Sequence, residues 1–186
     1  MKNEIIEKIK KFVEEECKKD FLSKEILMNH FLPVRNYAIQ LANKKNADLD
    51  IVEIAAWLHD IGSIFYGRKN HHVTGAEIAE KKLRELNYPE DKIEKVKKCI
   101  LNHRGSISNL RESIEEQIIA EADSLSFFDN VEGYILWVIE NDKIKNQRQI
   151  KLSVKQKAQN KWNQLSDESK ELIKSKYDAV LLLFGG

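Results

Sequence analysis

Two prolines and seven glycines in 186 residues leave little with which to build turns, so a chain of short strands and hairpins is excluded at the outset. Period-two alternation is nearly absent, which removes a sheet protein from consideration. Only Cys17 and Cys99 occur, far apart in sequence. Two cysteines frame neither a disulfide scaffold nor a thiolate zinc site, and a reducing, cytoplasmic setting is expected. No apolar run approaches the ~18 residues of a membrane span. The amphipathic, acid-laced N-terminus "MKNEIIEKIKKFVEEECKKD" lacks a signal-peptide core. An excess of one charge is missing too: 31 Lys and Arg against 30 Asp and Glu leave a net charge of +1. That balance argues against bulk attraction to nucleic acid or membrane.

What is present is helical period. Apolar residues make up 42% and charged residues 33%, the mix of a globular protein large enough for a buried core. The spacing of apolar positions predicts helices over 3–19, 24–45, 50–60, 73–87, 90–104, 111–128, 130–141, 146–164 and 167–184. Asp50 with Glu53 reads as an N-terminal capping pair. Pro33 requires the second helix to start or kink there. No repeat, low-complexity stretch or linker divides the chain. The expected fold is all-α, one domain over 1–186, with the last apolar cluster, "AVLLLF" (179–184), packed on the core.

The stretch "IAAWLHDIGSIF" (54–65) places His59 and Asp60 in the last turn of an apolar helix, with Gly62 read as the residue that ends it. A carboxylate at a helix C-terminus faces the negative end of the dipole, so a compensating cation is expected. All five histidines (His30, His59, His71, His72, His103) fall between residues 30 and 103. His30, His59 and His103 each adjoin an apolar face. In "IIAEADSLSFF", Asp123 is drawn toward a core with no arginine at neighbouring spacing, so it needs a partner. Singly, each of these groups has an ordinary structural explanation. Together, imidazole-bearing segments and two half-buried carboxylates point to a divalent metal, since His nitrogen and Asp oxygen suit zinc, iron, manganese or nickel.

The order His30, His59-Asp60, Asp123 resembles the H…HD…D signature of the HD-domain superfamily of metal-dependent phosphohydrolases. "HHVTGAEIAEKKL" (71–83) resembles that family's H-x-x-x-G-A-E-I helix, and "ILNHRGS" (100–106) its next histidine segment. The resemblance implies an HD-type helical bundle over about 22–130, followed here by extra C-terminal helices over about 131–186. It also implies one or two divalent ions (Fe, Mn, Ni, Co, Zn or Mg), with His30, His59, Asp60 and Asp123 as core ligands. His71, preferred to His72 for its spacing to Gly75, and His103 would be companions at a second ion, with Asp60 bridging. The family's further residue after the His103 position is Arg104 in this chain.

A cation near such a site helps a phosphoryl transition state, and Arg68, Lys69 and Arg104 are the candidates beside His59 and Asp60. Arg35 is expected to be structural. "GSIFYGRK" (62–69) imitates a phosphate loop, but the Lys-Ser/Thr pair and a preceding strand are missing. Seven basic residues and no acid fall between 143 and 166 (Lys143, Lys145, Arg148, Lys151, Lys155, Lys157, Lys161). Such a run reads first as a solvated helix face and second as a guide for an anion. Trp57, Trp137 and Trp162 read as core. The leading expectation is hydrolysis of a small phosphoester, such as a nucleotide, with no membrane or nucleic-acid partner and with a homodimer left open. A di-iron oxygenase built from a similar donor set, and a metal-binding regulatory module without turnover, are the rival expectations.

Overall fold

The computed structural model describes residues 2–19, 21–105, 111–141, 144 and 146–185. Ser106, at the end of the third histidine motif, and Lys143 and Lys145 of the basic run lie outside the described residues. Helices follow in the order α1 (Lys2–Cys17), α2 (Phe21–Ile26), α3 (Leu32–Lys45), α4 (Leu49–Leu58), α5 (Ile61–Tyr66), α6 (His71–Glu85), α7 (Glu90–Asn102), α8 (Ile114–Ser126), α9 (Val131–Asn141), α10 (Gln147–Trp162) and α11 (Asp167–Phe184). A π-helical turn, Leu27–Phe31, joins α2 to α3, and a short 3₁₀ turn, Phe127–Asp129, follows α8. Among the described residues there is no strand, and the fold is a single all-α domain, as composition and period imply.

The hub is α4. Its sequence, LDIVEIAAWL, is apolar on nearly every side, and Ile51, Val52 and Ile54 to Leu58 are buried. A helix apolar all round has to sit inside, and α1, α3, α7 and α8 pack about it. Its N-cap is Asp48, whose carboxylate accepts from the backbone of Asp50 and Ile51. Asp48 also takes the Lys92 ammonium at 3.0 Å. The Asp50–Glu53 cap is therefore corrected, because Glu53 is drawn across to α3, where Arg35 Nε donates to it at 2.9 Å. Arg35 is structural, as expected.

Pro33 does not kink a helix; it lies in the first turn of α3, which starts at Leu32 as one of the two expected outcomes. Lacking an N–H, it leaves the Asn29 carbonyl without its i+4 donor and crowds it. The turn before it widens, and Leu32 N–H reaches back to the Leu27 carbonyl. His30 sits in that π turn, the kind of local bulge that recurs at functional sites.

Gly62 does not end α4 either. The helix stops at Leu58, His59 and Asp60 make the break, and α5 restarts at Ile61 with Gly62 inside it. Glycine is needed there for proximity: a Cβ at Gly62 would lie 2.3 Å from the His71 carbonyl oxygen and 2.6 Å from Gly75 N. α5 and α6 thus touch backbone to backbone, which carries His71 toward Asp60. The C-terminal cluster is only partly core: Val180 is buried, while Leu182 and Leu183 are 85% and 65% exposed.

Gly62→Ala is expected to force α5 from α6 at a cost of about 1–3 kcal/mol. For a domain this size that is a fall in Tm of roughly 2–4 °C per kcal/mol. An unchanged thermal melt would show that the helices do not meet this closely.

Candidate metal centre

Four elements deliver imidazoles to one interior point: His30 from the π turn, His59 from the end of α4, His71 from the start of α6 and His103 from the end of α7. His59, His71 and His103 are buried, and His30 is half-buried. Neighbouring rings stand 5.0 Å (His30–His59), 5.3 Å (His59–His103) and 5.2 Å (His71–His103) apart between centroids.

Hydrogen bonding on the far side of each ring fixes which nitrogen faces inward. His59 Nδ1 donates to the Ala56 carbonyl at 2.9 Å, His71 Nδ1 to Arg68 at 2.8 Å and His103 Nδ1 to Ile100 at 2.6 Å. A carbonyl only accepts, so each Nδ1 carries the proton. His30 obeys the same logic one step removed. Ser126 Oγ donates to the Asp123 carbonyl at 2.8 Å, and so accepts from His30 Nδ1, 3.2 Å away. For His59 and His103 the acceptors are last-turn carbonyls, which have no intrahelical partner. The fold therefore uses its own helix ends to set the tautomers.

In the neutral tautomer all four Nε2 lone pairs then face one another. His59 Nε2 is 3.0 Å from His30 Nε2, and His71 Nε2 is 3.2 Å from His103 Nε2. Two acceptors at that distance repel unless a cation sits with them. Asp60 adds an anion between the pairs: Oδ1 lies 3.0 Å from His71 Nε2 and 3.4 Å from His103 Nε2, while Oδ2 lies 3.2 Å from His30 Nε2. Asp60 Oδ1 is buried and receives no well-formed hydrogen bond. His30, His59 and Asp60 form one donor group of metal-binding size, and Asp60, His71 and His103 a second. The donors fit divalent metal: nitrogen lone pairs and carboxylate oxygens converge, their outer nitrogens already occupied.

The electrostatics tell the same story. Burial pushes His59 down to about 4, with the neighbouring imidazoles adding to it and Asp60 opposing, so His59 is a neutral donor. Burial works against charge on Asp60 as well, but the imidazoles around it hold its carboxyl well below the ordinary range. At His71 burial is outweighed by Asp60, and the pKa rises. Without a metal, a proton on that ring partly answers the same demand.

Asp123 stands at the edge, its Oδ1 3.6 Å from His30 Nε2. Its missing cation is Lys161 of α10, whose ammonium donates to Oδ2 at 2.6 Å. Against burial, Lys161 and then the imidazoles hold Asp123 far below the usual carboxylate range. This corrects the reading of the basic run as a solvated face: Lys161 points inward and Lys157 is half-buried. No local spacing announces a lysine 38 residues downstream of its partner. Arg111 was missed for a similar reason. It donates to the carbonyls of Asn102, His103 and Arg104, clamping the turn that carries His103.

His71, not His72, has its Nε2 on Asp60. His72 turns to Arg104, with Nη1 at 3.5 Å from its Nδ1. The Arg68 guanidinium lies over the Trp137 ring, 5.8 Å from the centroid. Trp137 is therefore not plain core, whereas Trp57 is buried and Trp162 stacks on Tyr177. Lys69 is exposed, and no hydrogen bond or ion pair joins it to the cluster among the described residues.

Over 125 residues the chain is 34% identical to an uncharacterized protein of Methanocaldococcus jannaschii, covering 57% of this chain and 69% of that one. Over 111 residues it is 32% identical to a tRNA (cytidine(56)-2'-O)-methyltransferase of Thermoplasma volcanium. That match takes 54% of this chain but 32% of the enzyme, so the chain spans about a third of that relative's length. Two crystal structures share the fold. A Listeria innocua protein superposes with a TM-score of 0.73 over 100% of this chain and 94% of that one, at 18% identity. A predicted HD superfamily hydrolase from an uncultured Thermotogales bacterium gives 0.64 over 95% and 87%, at 21% identity. The HD-domain model matches residues 27–127, more than half of the 186 residues and the span that carries every inward imidazole. The chain belongs to the HD-domain family.

Proposed function

We propose that this chain is a metal-dependent phosphohydrolase acting on a small phosphoester, a nucleotide or related metabolite. The observation that carries the reading is the pair of opposed Nε2 lone-pair sets on either side of the Asp60 carboxylate. His30, His59 and Asp60 would hold one divalent ion, and Asp60, His71 and His103 a second, with Asp60 shared. Asp123, backed by Lys161, would complete the first. Such ions, when bound, supply a water-derived nucleophile at neutral pH and offset charge on phosphoryl oxygens.

The chain's own residues do the rest. The Nδ1 donors keep every ring in the metal-binding tautomer and orientation. Lys161 holds Asp123 ionised and fixed. Arg68 and Arg104, which have no carboxylate partner among the described residues, give the rim positive charge for an anionic substrate. The same donors suit a pair of irons that activates dioxygen; phosphate release in an oxygen-free assay excludes that rival.

Untagged protein is expected to carry about one or two transition-metal ions per chain by elemental analysis. Asp60→Ala should lose both and depress phosphoester turnover by about a thousandfold or more, while His103→Ala should lose one ion. Full occupancy in the Asp60 variant would overturn the reading.

Proton linkage gives an independent check on metal-free protein. His59 takes its proton near pH 4 when folded, against about 6.5 in the unfolded chain. Between those values the unfolded state binds the extra proton, so stability falls as pH drops through the window and levels off below it. In chelator, wild-type protein should lose more Tm from pH 6.5 to 4 than His59→Gln does. The raised pKa of His71 acts oppositely, its contribution being lost as pH rises, and it is common to both proteins. Equal losses would show that His59 is not buried as a neutral ring.

A further inference from the structure

Outside the imidazole cluster, the positive charge that α10 and the α5–α6 loop bring to the site exceeds what Asp123 can neutralise. Lys161 occupies Asp123 Oδ2 at 2.6 Å. Lys157, one helical turn earlier on the same face of α10, has no carboxylate partner among the described residues. Nor has Arg68. Each is instead laid on an aromatic ring of α9: Lys157 Nζ is 5.7 Å from the Tyr134 centroid and Arg68 Cζ 5.8 Å from that of Trp137. Those rings are stacked on one another, 6.1 Å apart and tilted by 17°. Tyr134 is itself tied to α10 by a 3.0 Å hydrogen bond to Ser153.

Cation–π contacts of this kind steady a cation without neutralising it. Half-burial with Lys161 and Arg68 nearby pushes the Lys157 ammonium pKa down, Asp123 opposing, so these charges are close enough to feel one another. Lys157, partly desolvated beside Lys161 and Arg68, contributes to a local field of one sign that attracts an anion. The reacting phosphoryl group belongs at the imidazole cluster. Lys157 is offset from Lys161 by four residues, about 6 Å along α10, the scale of one further phosphate.

We infer that Lys157 and Arg68, seated on the Tyr134–Trp137 pair, form a subsite for a second phosphate, so that the substrate is a di- or triphosphate rather than a monoester. The inference rests on the phosphohydrolase reading and adds two specificity-determining residues, Arg68 on the α5–α6 loop and Lys157 on α10, the latter outside the matched 27–127 span. Lys157 and Arg68 bind the non-reacting phosphate; they take no part in bond breaking.

Two non-hydrolysable probes test it on the metal-loaded protein: methylenediphosphonate and methylphosphonate, each supplied as its magnesium salt and titrated by calorimetry. Wild-type protein should prefer the diphosphonate at least tenfold. Lys157→Gln and Arg68→Gln should each cut that preference fivefold or more, and Lys157→Arg should restore most of it. Arg68 is exposed on its loop, so its variant stays informative even if Lys157→Gln folds poorly. No preference in wild type, or an undiminished preference in both glutamine variants, overturns the subsite. Phosphate release is assayed on the same preparation. Release without diphosphonate preference removes the subsite and spares the hydrolase; preference without release does the reverse.

Discussion

A buried carboxylate flanked by two pairs of imidazole lone pairs is an arrangement that folding alone does not favour. Asp60 lies between His71 and His103 on one oxygen and His30 on the other. Carrying such a charge out of water costs several kcal/mol unless something positive meets it. Protons do so incompletely, because His59 refuses one until about pH 4. The cluster is thus a set of donors that could hold a divalent ion, and the surrounding helices keep that arrangement in place.

They do so with backbone. Three of the four imidazoles are pinned by a carbonyl three residues earlier, and α4 and α7 supply carbonyls that their own helices have left unpaired. The fourth is set by the π turn that Pro33 imposes, and by a serine on α8. Gly62 lets α5 close on α6, so His71 arrives within 3.0 Å of Asp60. None of these devices touches a ligand, yet each fixes where an Nε2 lone pair points. A shift of one helix by a methyl group's width would part the donors.

Much of this was legible in the sequence because the signals are local. Helical period found the elements, and the crowding of five histidines into residues 30–103 marked the region. The doublet His59-Asp60 stood out at the end of an apolar helix. The resemblance to the HD family, with its histidine four residues before Gly75, picked out His71, which the structure brings to Asp60. What escaped was non-local or depended on backbone. Gly62 looked like a helix stop because period and glycine alone cannot tell a C′ residue from a helix–helix contact. Glu53 looked like a cap until Arg35 of another helix claimed it. Lys161 sat in a run with no acid nearby in sequence. Only its 2.6 Å contact with Asp123, 38 residues away, shows that the run has an inward side.

That contact has a consequence for how the chain divides. The matched family segment ends at residue 127, before α9, α10 and α11 begin. Were those helices a mere outer wrap, the centre would be complete without them. Instead Asp123, within 3.6 Å of His30, has its charge answered from α10. Remove α10 and Asp123 is left as a buried carboxylate with the imidazoles and the more distant Arg111 to compensate it, a state that favours protonation and loss of a donor. The C-terminal helices therefore belong to the electrostatics of the centre. They also bring to its rim the stacked Tyr134 and Trp137 rings and Lys157, which has no carboxylate partner among the described residues, so the helices that answer the charge of Asp123 also line the approach to it.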